Sequence, residues 1–407
     1  MEHLVADDAP MTPRASVRFL PLDLEAHLIE RVQARAPRST VDECIARLAR
    51  PAAALTTMFT SDRPEQFPDY TKDEDTLLAY ALLFFPQTWT RVRFALAEAI
   101  DVRGFEVPKD RPARVLDLGA GLGAAGLSAA ELLIARGGAP SVELTAIDRS
   151  PAALDSLRAF AALGLESLRG IALSTATGDL AHPSNATIRR GAPYDLILAS
   201  FSLNEAFSAR DDADATRWFR DLAALVTSTG RIVIVEPALR ATAERLRRVV
   251  APVIAEGVLH VHGPDLHDAL APPPEDERFR DHEVRRWTQP HSLTRLNSRL
   301  QLSLNELTFT SLTLSPAPPR PLESDVARLT SPIVRLKGRW VFTGLGADGA
   351  RHNYEILDRG IDADGAARLR DFERGDLFAT PTATDIGQPV KRRLPDAAGL
   401  VSRWRPT

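Results

Sequence analysis

Cysteine is almost absent from this chain: Cys44 stands alone among 407 residues. A lone thiol excludes an intramolecular disulfide and any metal cluster held by cysteines alone. Lysine is nearly as scarce, occurring only at Lys72, Lys109, Lys337 and Lys391, so almost all the positive charge is arginine. Chemistry built on a lysine tetrad is correspondingly disfavoured. No stretch approaches the roughly 18 apolar residues of a membrane-spanning helix, and no basic start precedes an early apolar run. Neither membrane insertion nor export is expected, and a cytoplasmic protein is. The net charge of −4 argues against a uniformly basic nucleic-acid binder. There is no internal repeat to suggest a solenoid.

What the chain does have is Val115-Leu116-Asp117-Leu118-Gly119-Ala120-Gly121-Leu122-Gly123, a short apolar run ending in an acid and then glycine at alternate positions. The run calls for burial on both faces, as in a parallel strand. The glycines let the chain turn sharply and bring backbone N–H groups against a ligand. Asp-x-Gly-x-Gly-x-Gly resembles the cofactor loop of class I methyltransferases that use S-adenosylmethionine. The same residues contain Gly121-x-Gly123-x-x-Gly126, which also satisfies the dinucleotide fingerprint. Both readings need a second strand ending in an acid for the ribose hydroxyls. Val142 to Asp148 supplies it, about 25 residues beyond the glycines. Asp117 discriminates: a carboxylate at the strand tip would repel a pyrophosphate but could receive, directly or through water, the ammonium of a methionine moiety.

The downstream segments fit. Ser150 and Pro151 read as the cap and first residue of a helix. Gly178-Asp179-Leu180 stands where class I methyltransferases carry an acid for the adenine amino group; Gly-Asp is also ordinary turn chemistry. Tyr194 to Ser200 and Gly230 to Glu236 read as the fourth and fifth strands. The expected fold is α/β, a Rossmann-like class I methyltransferase sheet with an N-terminal helical region and a small β-rich C-terminal appendage. The expected boundaries are 1–103 for the helical region, 104–255 for the S-adenosylmethionine-binding core, and 256–407 for a His/Pro-rich connection and the appendage. The cofactor residues are Asp117, Gly119, Ala120, Gly121, Gly123, Asp148, Arg149, Asp179, Leu180 and Ser200.

Ahead of the core, residues 1–20 are polar, helical patterns run near 23–35 and 41–50, and a Thr/Asp/Pro-rich loop spans about 60–73. From Asp73 to Ile100 the pattern is strongly helical, interrupted at Pro86, and should roof the cofactor. After the core, residues 303–380 alternate like short strands, as in Leu307 to Leu314 and Arg339 to Thr343.

A more particular resemblance joins Leu77-Leu78-Ala79-Tyr80, Pro86, Thr88, Trp89 and Val92 with Ser200-Phe201-Ser202-Leu203-Asn204-Glu205. It continues through Val235-Glu236-Pro237, Ser331-Pro332 and Arg335-Leu336-Lys337-Gly338. This set resembles the methyltransferase-like proteins of small-ribosomal-subunit assembly, known from mitochondria with bacterial relatives. It covers about residues 70–345. The resemblance implies binding of S-adenosylmethionine and action on, or chaperoning of, the small ribosomal subunit and its rRNA. Members of that family commonly carry cysteines for an iron–sulfur cluster or other metal, and here those cysteines are missing. In their place lie His260, His262, His267, His282 and His291, with Asp265 and Asp268. Imidazole and carboxylate suit zinc, but these histidines read as solvent-exposed or substrate-facing, and no metal and no iron–sulfur cluster is expected.

The acceptor is less legible. Methylation of pyrimidine carbon 5 normally uses a cysteine, and Cys44 lies far upstream. Base-amino methyltransferases usually show Asn or Asp before Pro-Pro and an aromatic, where this chain has Ala199-Ser200-Phe201-Ser202. The remaining catalytic candidates are Ser200, Asn204 and Glu205; Asn204 and Glu205 would orient an acceptor or take its proton, or else open the next helix. Two basic clusters, Arg335, Lys337 and Arg339, and Lys391-Arg392-Arg393 with Arg403 and Arg405, are either phosphate contacts or solvated surface. An active methyltransferase, an inactive assembly factor with the same fold, and a small-molecule methyltransferase all remain open.

Overall fold

The computed structural model describes residues 20–60, 73–182, 186–207, 210–271, 282–387 and 391–405. The polar start at 1–19, Lys72 and most of the Thr/Asp/Pro-rich loop lie outside them. Five helices lead: α1 (Leu22–Ala34), α2 (Val41–Arg47), α3 (Ala49–Thr60), α4 (Glu74–Leu83) and α5 (Phe85–Asp101). Local chemistry sets their starts. Thr40 and Glu43 form a reciprocal capping box on α2, and the Asp73 carboxylate accepts the Thr76 N–H at the head of α4. Pro86 falls in the first turn of α5, where its missing N–H has no intrahelical partner to lose. The interruption expected there is therefore a junction between two helices.

Strand and helix then alternate: β1 (Ala113–Leu118), α6 (Ala124–Ala135), β2 (Val142–Asp148), α7 (Pro151–Ala162), β3 (Ile171–Thr177), α8 (Ala186–Gly191) and β4 (Tyr194–Ser200). The series continues through α9 (Leu203–Ala206), α10 (Asp212–Ala223), β5 (Val226–Glu236) and α11 (Arg240–Ala255). Beyond it come β6 (His260–Gly263), β7 (Glu283–Arg286), α12 (His291–Leu300) and β8 (Glu306–Ser315). The sheet order is β3-β2-β1-β4-β5-β8-β6, with β7 pairing on β8. Strands β1 to β5 are parallel, and β8 runs antiparallel to both β5 and β6. This is an open, Rossmann-like α/β sheet with β8 as its antiparallel strand. Alternate residues serve opposite faces: Val115, Leu144, Leu198 and Val233 pack in one apolar core, Leu116, Ile147, Ile197 and Ile232 in the other.

Residue 255 does not end this sheet. Residues 260–263 and 306–315 supply two further strands, so Leu307 to Leu314 belongs to the core rather than to the appendage. The reason is long-range pairing: β8 covers β5 with Val233 opposite Thr313, closing an edge that would otherwise stay open.

The remaining strands, β9 (Val326–Leu329), β10 (Val334–Leu336), β11 (Arg339–Gly346) and β12 (Arg351–Leu357), precede α13 (Ala363–Asp371). After it come β13 (Leu377–Ala379), β14 (Thr384–Gly387), β15 (Lys391–Leu394) and β16 (Val401–Trp404). They form a second eight-stranded sheet with its own core around Phe342, Tyr354 and Phe378. A buried ion network joins it to the first unit. Arg328 on β9 meets Glu98 on α5 and Glu283 on β7, while Arg285 meets Glu283 and Asp376. No helix among the described residues is long and apolar enough to cross a membrane.

Candidate functional site

The glycine loop is built from two close approaches. A Cβ on Gly119 would stand 2.3 Å from Ser202 Cβ, and one on Gly123 2.3 Å from Leu157 Cδ1; both residues have left-handed backbones. The Gly119 and Ala120 N–H groups donate to the Ile147 carbonyl, at 2.8 and 3.0 Å, which ties the loop to the end of β2. Above Gly121 there is open space, with no atom within 4 Å of a Cβ placed there. The loop therefore leaves room for a ligand to approach its backbone at Gly121.

Two acids support it. Asp148 Oδ2 accepts the Gly121 N–H at 2.7 Å and Oδ1 accepts the Ser150 N–H at 2.8 Å. Asp117 is 1% exposed; its Oδ2 accepts the Gly126 N–H at 2.8 Å, and its buried Oδ1 has no hydrogen-bond partner. Burial above all, against the restraint of the Gly126 N–H and with the help of the nearby Asp148, raises the Asp117 carboxyl to about 7.

These residues floor a cavity of about 800 Å³, at the upper end of the roughly 300–1,000 Å³ usual for small-molecule sites. Gly119, Gly121, Asp148, Arg149, Asp179, Leu180, Ser200 and Glu205 line one part. Phe59 of α3, Tyr80 and Leu83 of α4, Gln87 and Arg91 of α5, and Leu302 to Leu304 line the other. The helical region thus forms the expected roof. Asp179 Oδ2 meets Arg210 at 2.8 Å and His182 at 3.0 Å. Ser200 Oγ is buried without a hydrogen-bond partner. Glu205 lies 3.5 Å from Arg149. Burial, with Glu205 and Asp148 nearby, pushes the Tyr80 phenol well above its ordinary value.

Most residues expected from the sequence meet here, but not all. Asp117, Ala120 and Gly123 lie behind the loop rather than on the cavity. Asn204 borders a separate cleft with Phe207, Thr242 and Arg245; the short helix α9 turns it away from its neighbour Glu205, because successive helical residues point about 100° apart. It is withdrawn as a catalytic candidate. Glu236 fixes this turn from the end of β5, its Oε1 accepting the Leu203 N–H at 3.0 Å. Sequence reasoning missed Arg91 and Gln87, to whose neighbourhood only the Tyr80 to Val92 motif pointed, and it quoted Phe201 without its left-handed backbone (φ 56°).

The histidine-rich segment does not converge. His260 Nδ1 is 2.5 Å from Asp268 Oδ2, while the buried His262 places Nε2 2.8 Å from the Ala317 carbonyl. Among the described residues no group of three or more His, Cys, Asp or Glu side chains could hold a metal ion. The basic clusters are largely paired internally: Arg335 with Asp358, Arg339 and Arg393 with Glu355, Arg392 with Asp385, Arg405 with Asp371 and Asp376.

Neither a scan of protein-family models nor a search of curated proteins gave a match. Among solved structures, the chain is similar to the CcbJ methyltransferase from Streptomyces caelestis, at 20% identity over 38% of this chain and 56% of that one, TM-score 0.27. It is similar to TrmN from Thermus thermophilus, at 20% identity over 57% and 52%, TM-score 0.32. A third is the magnesium protoporphyrin IX methyltransferase of Synechocystis PCC 6803 with bound S-adenosylmethionine, at 13% identity over 65% and 96%, TM-score 0.32. The chain spans about half the length of the first two. Likeness at this level says nothing about chemistry, which rests on the residues themselves.

Proposed function

We propose that the chain binds S-adenosylmethionine on the glycine loop and is a methyltransferase serving small-ribosomal-subunit assembly, with the subunit's rRNA as acceptor. The observation that carries the cofactor is the cavity over Gly121, flanked by Asp148, Asp179 and Leu180. The partnerless Ser200 Oγ on the cavity and the open space over Gly121 suit a ligand that carries hydroxyls. When bound, the cofactor supplies an electrophilic methyl group for in-line displacement. The protein's part is then to position the acceptor and take its proton. In this reading Glu205 takes that proton and Asp179 accepts from the adenine amino group, roles supported by both side chains lining the cavity. The ribosomal half is supported by the resemblance, three of whose segments meet on this one cavity through Tyr80, Thr88, Ser200, Glu205 and Pro237.

A second reading, a small-molecule acceptor, is favoured by the apolar wall of Phe59, Leu83, Phe84 and Leu304 and by the internal pairing of the basic clusters. An inactive assembly factor is the third. Calorimetry with S-adenosylhomocysteine tests the cofactor: binding at micromolar concentrations is expected, and none at millimolar ligand rejects it. rRNA modification mapping and subunit sedimentation in a deletion strain separate the rest. One lost methylation supports the enzyme, immature subunits with unchanged methylation the assembly factor, and neither effect the small acceptor.

A further inference from the structure

Arg91 stands on α5 in the cavity wall, and burial pushes its guanidinium down to about 10. Among the described residues no carboxylate pairs with it. Its Nη2 donates to Gln87 Oε1 at 3.0 Å, its Nε is buried without an acceptor, and its guanidinium carbon lies 5.1 Å from the centre of the Phe201 ring. The acids that share the cavity are engaged elsewhere: Asp148 with the loop, Asp179 with Arg210, Glu205 with Arg149.

A cation out of water is costly unless its N–H groups are met. The buried Arg285 and Arg328 meet two acids each. The buried Arg103 and Arg231 are held by backbone carbonyls, and the partly buried Arg91 has neither among the described residues. The supports of Arg91 are uncharged, and both are built. Gln87 is held by its Nε2, which donates to the Leu83 carbonyl at 2.7 Å. Phe201 adopts a left-handed backbone that a bulky residue rarely takes, and its ring lies against the guanidinium. An amide and a ring face hold the planar fork without neutralising it.

We propose that Arg91 is a carboxylate-binding residue, its guanidinium taking the carboxylate of a ligand bound in the cavity while Phe201 supports it from its ring face. The inference rests on the cofactor reading above. Two ligands would bring that chemistry: the methionine end of the cofactor, or an acceptor with an acid group and an apolar body lying against Phe59, Leu83 and Phe84.

The test is calorimetry on wild type, Arg91→Met and Arg91→Lys with four probes: S-adenosylhomocysteine, 5′-methylthioadenosine, 3-phenylpropionate and its amide. If the cofactor supplies the carboxylate, Arg91→Met weakens S-adenosylhomocysteine by at least about tenfold and leaves methylthioadenosine unchanged. Arg91→Lys, which keeps the charge but not the fork, falls between. If the acceptor supplies it, S-adenosylhomocysteine is unchanged, and 3-phenylpropionate binds wild type, fails to bind Arg91→Met, and exceeds its amide. The proposal is overturned if both variants bind every probe as wild type does, or if wild type binds neither carboxylate probe. Should Arg91→Met fail to fold, Arg91→Lys alone decides. Loss of both adenosyl probes by wild type rejects the cofactor reading instead, and the 3-phenylpropionate comparison then judges Arg91 by itself.

Discussion

The Gly121 N–H lies 2.7 Å from Asp148 Oδ2, so the glycine loop and the tip of the second strand are one hydrogen-bonded unit before any ligand arrives. The same carboxylate holds the Ser150 N–H at the head of α7. Asp148→Ala therefore removes the proposed ribose partner and strands two backbone donors. It should weaken S-adenosylhomocysteine at least about tenfold by calorimetry, and lower stability by roughly 1–3 kcal/mol in urea titration.

Asp117 makes stability depend on pH in an unusual direction for an acid. Its folded value near 7 exceeds that of an unfolded aspartate, so its contribution is fully present below about pH 4 and is lost as pH rises through about 7. The amount is on the order of 4 kcal/mol. Asp117→Asn should remove this slope between pH 5 and 8, measured by urea denaturation of the ligand-free protein; an unchanged slope would show that the group is ionised throughout.

His262 acts oppositely. Burial, with Arg231 and Arg103 nearby, lowers its imidazole to about 4. The unfolded chain then binds the extra proton first, and stability falls as pH drops from about 6.5 to about 4. His262→Gln, which keeps a donor for the Ala317 carbonyl, should flatten that acid limb in pH-resolved melting, whereas Asp117→Asn, which removes an opposing contribution over the overlapping range of about pH 4 to 7, should steepen it.

Arg328 sits between Glu98 and Glu283 and also donates to the carbonyls of Pro264, at 2.7 Å, and Gly375, at 2.9 Å. Arg328→Met leaves the buried Glu98 without its cation and Glu283 with Arg285 alone, and should cost about 3–5 kcal/mol in urea denaturation. Calorimetry with S-adenosylhomocysteine should change far less, because neither Arg328 nor Glu98 lines the cavity.

Local signals carried much of the fold. Val142–Asp148 and Tyr194–Ser200 are strands over the expected residues, Ser150 caps α7 through the Ala153 N–H, and Pro86 begins a helix. Distant pairings were not legible. The alternation of Leu307 to Leu314 is the same whether the strand joins one sheet or the other, and only the opposition of Val233 and Thr313 decides. Likewise, a run such as Lys391-Arg392-Arg393 does not announce that Glu355 and Asp385 lie against two of its members. At the site, glycine spacing found the floor, but the roof side chains and the left-handed Phe201 have no short-range signature.

The insertion of β8 between β5 and β6 also orders events during synthesis. Strand β5 ends at Glu236, yet its covering partner is not complete until Ser315. Until then a run of Ile232, Val233, Ile234 and Val235 presents an unpaired apolar margin, the kind of surface on which nascent chains adhere to one another. Shortened versions of this protein that stop before Ser315 should therefore be lost to aggregation even though they retain the whole glycine loop.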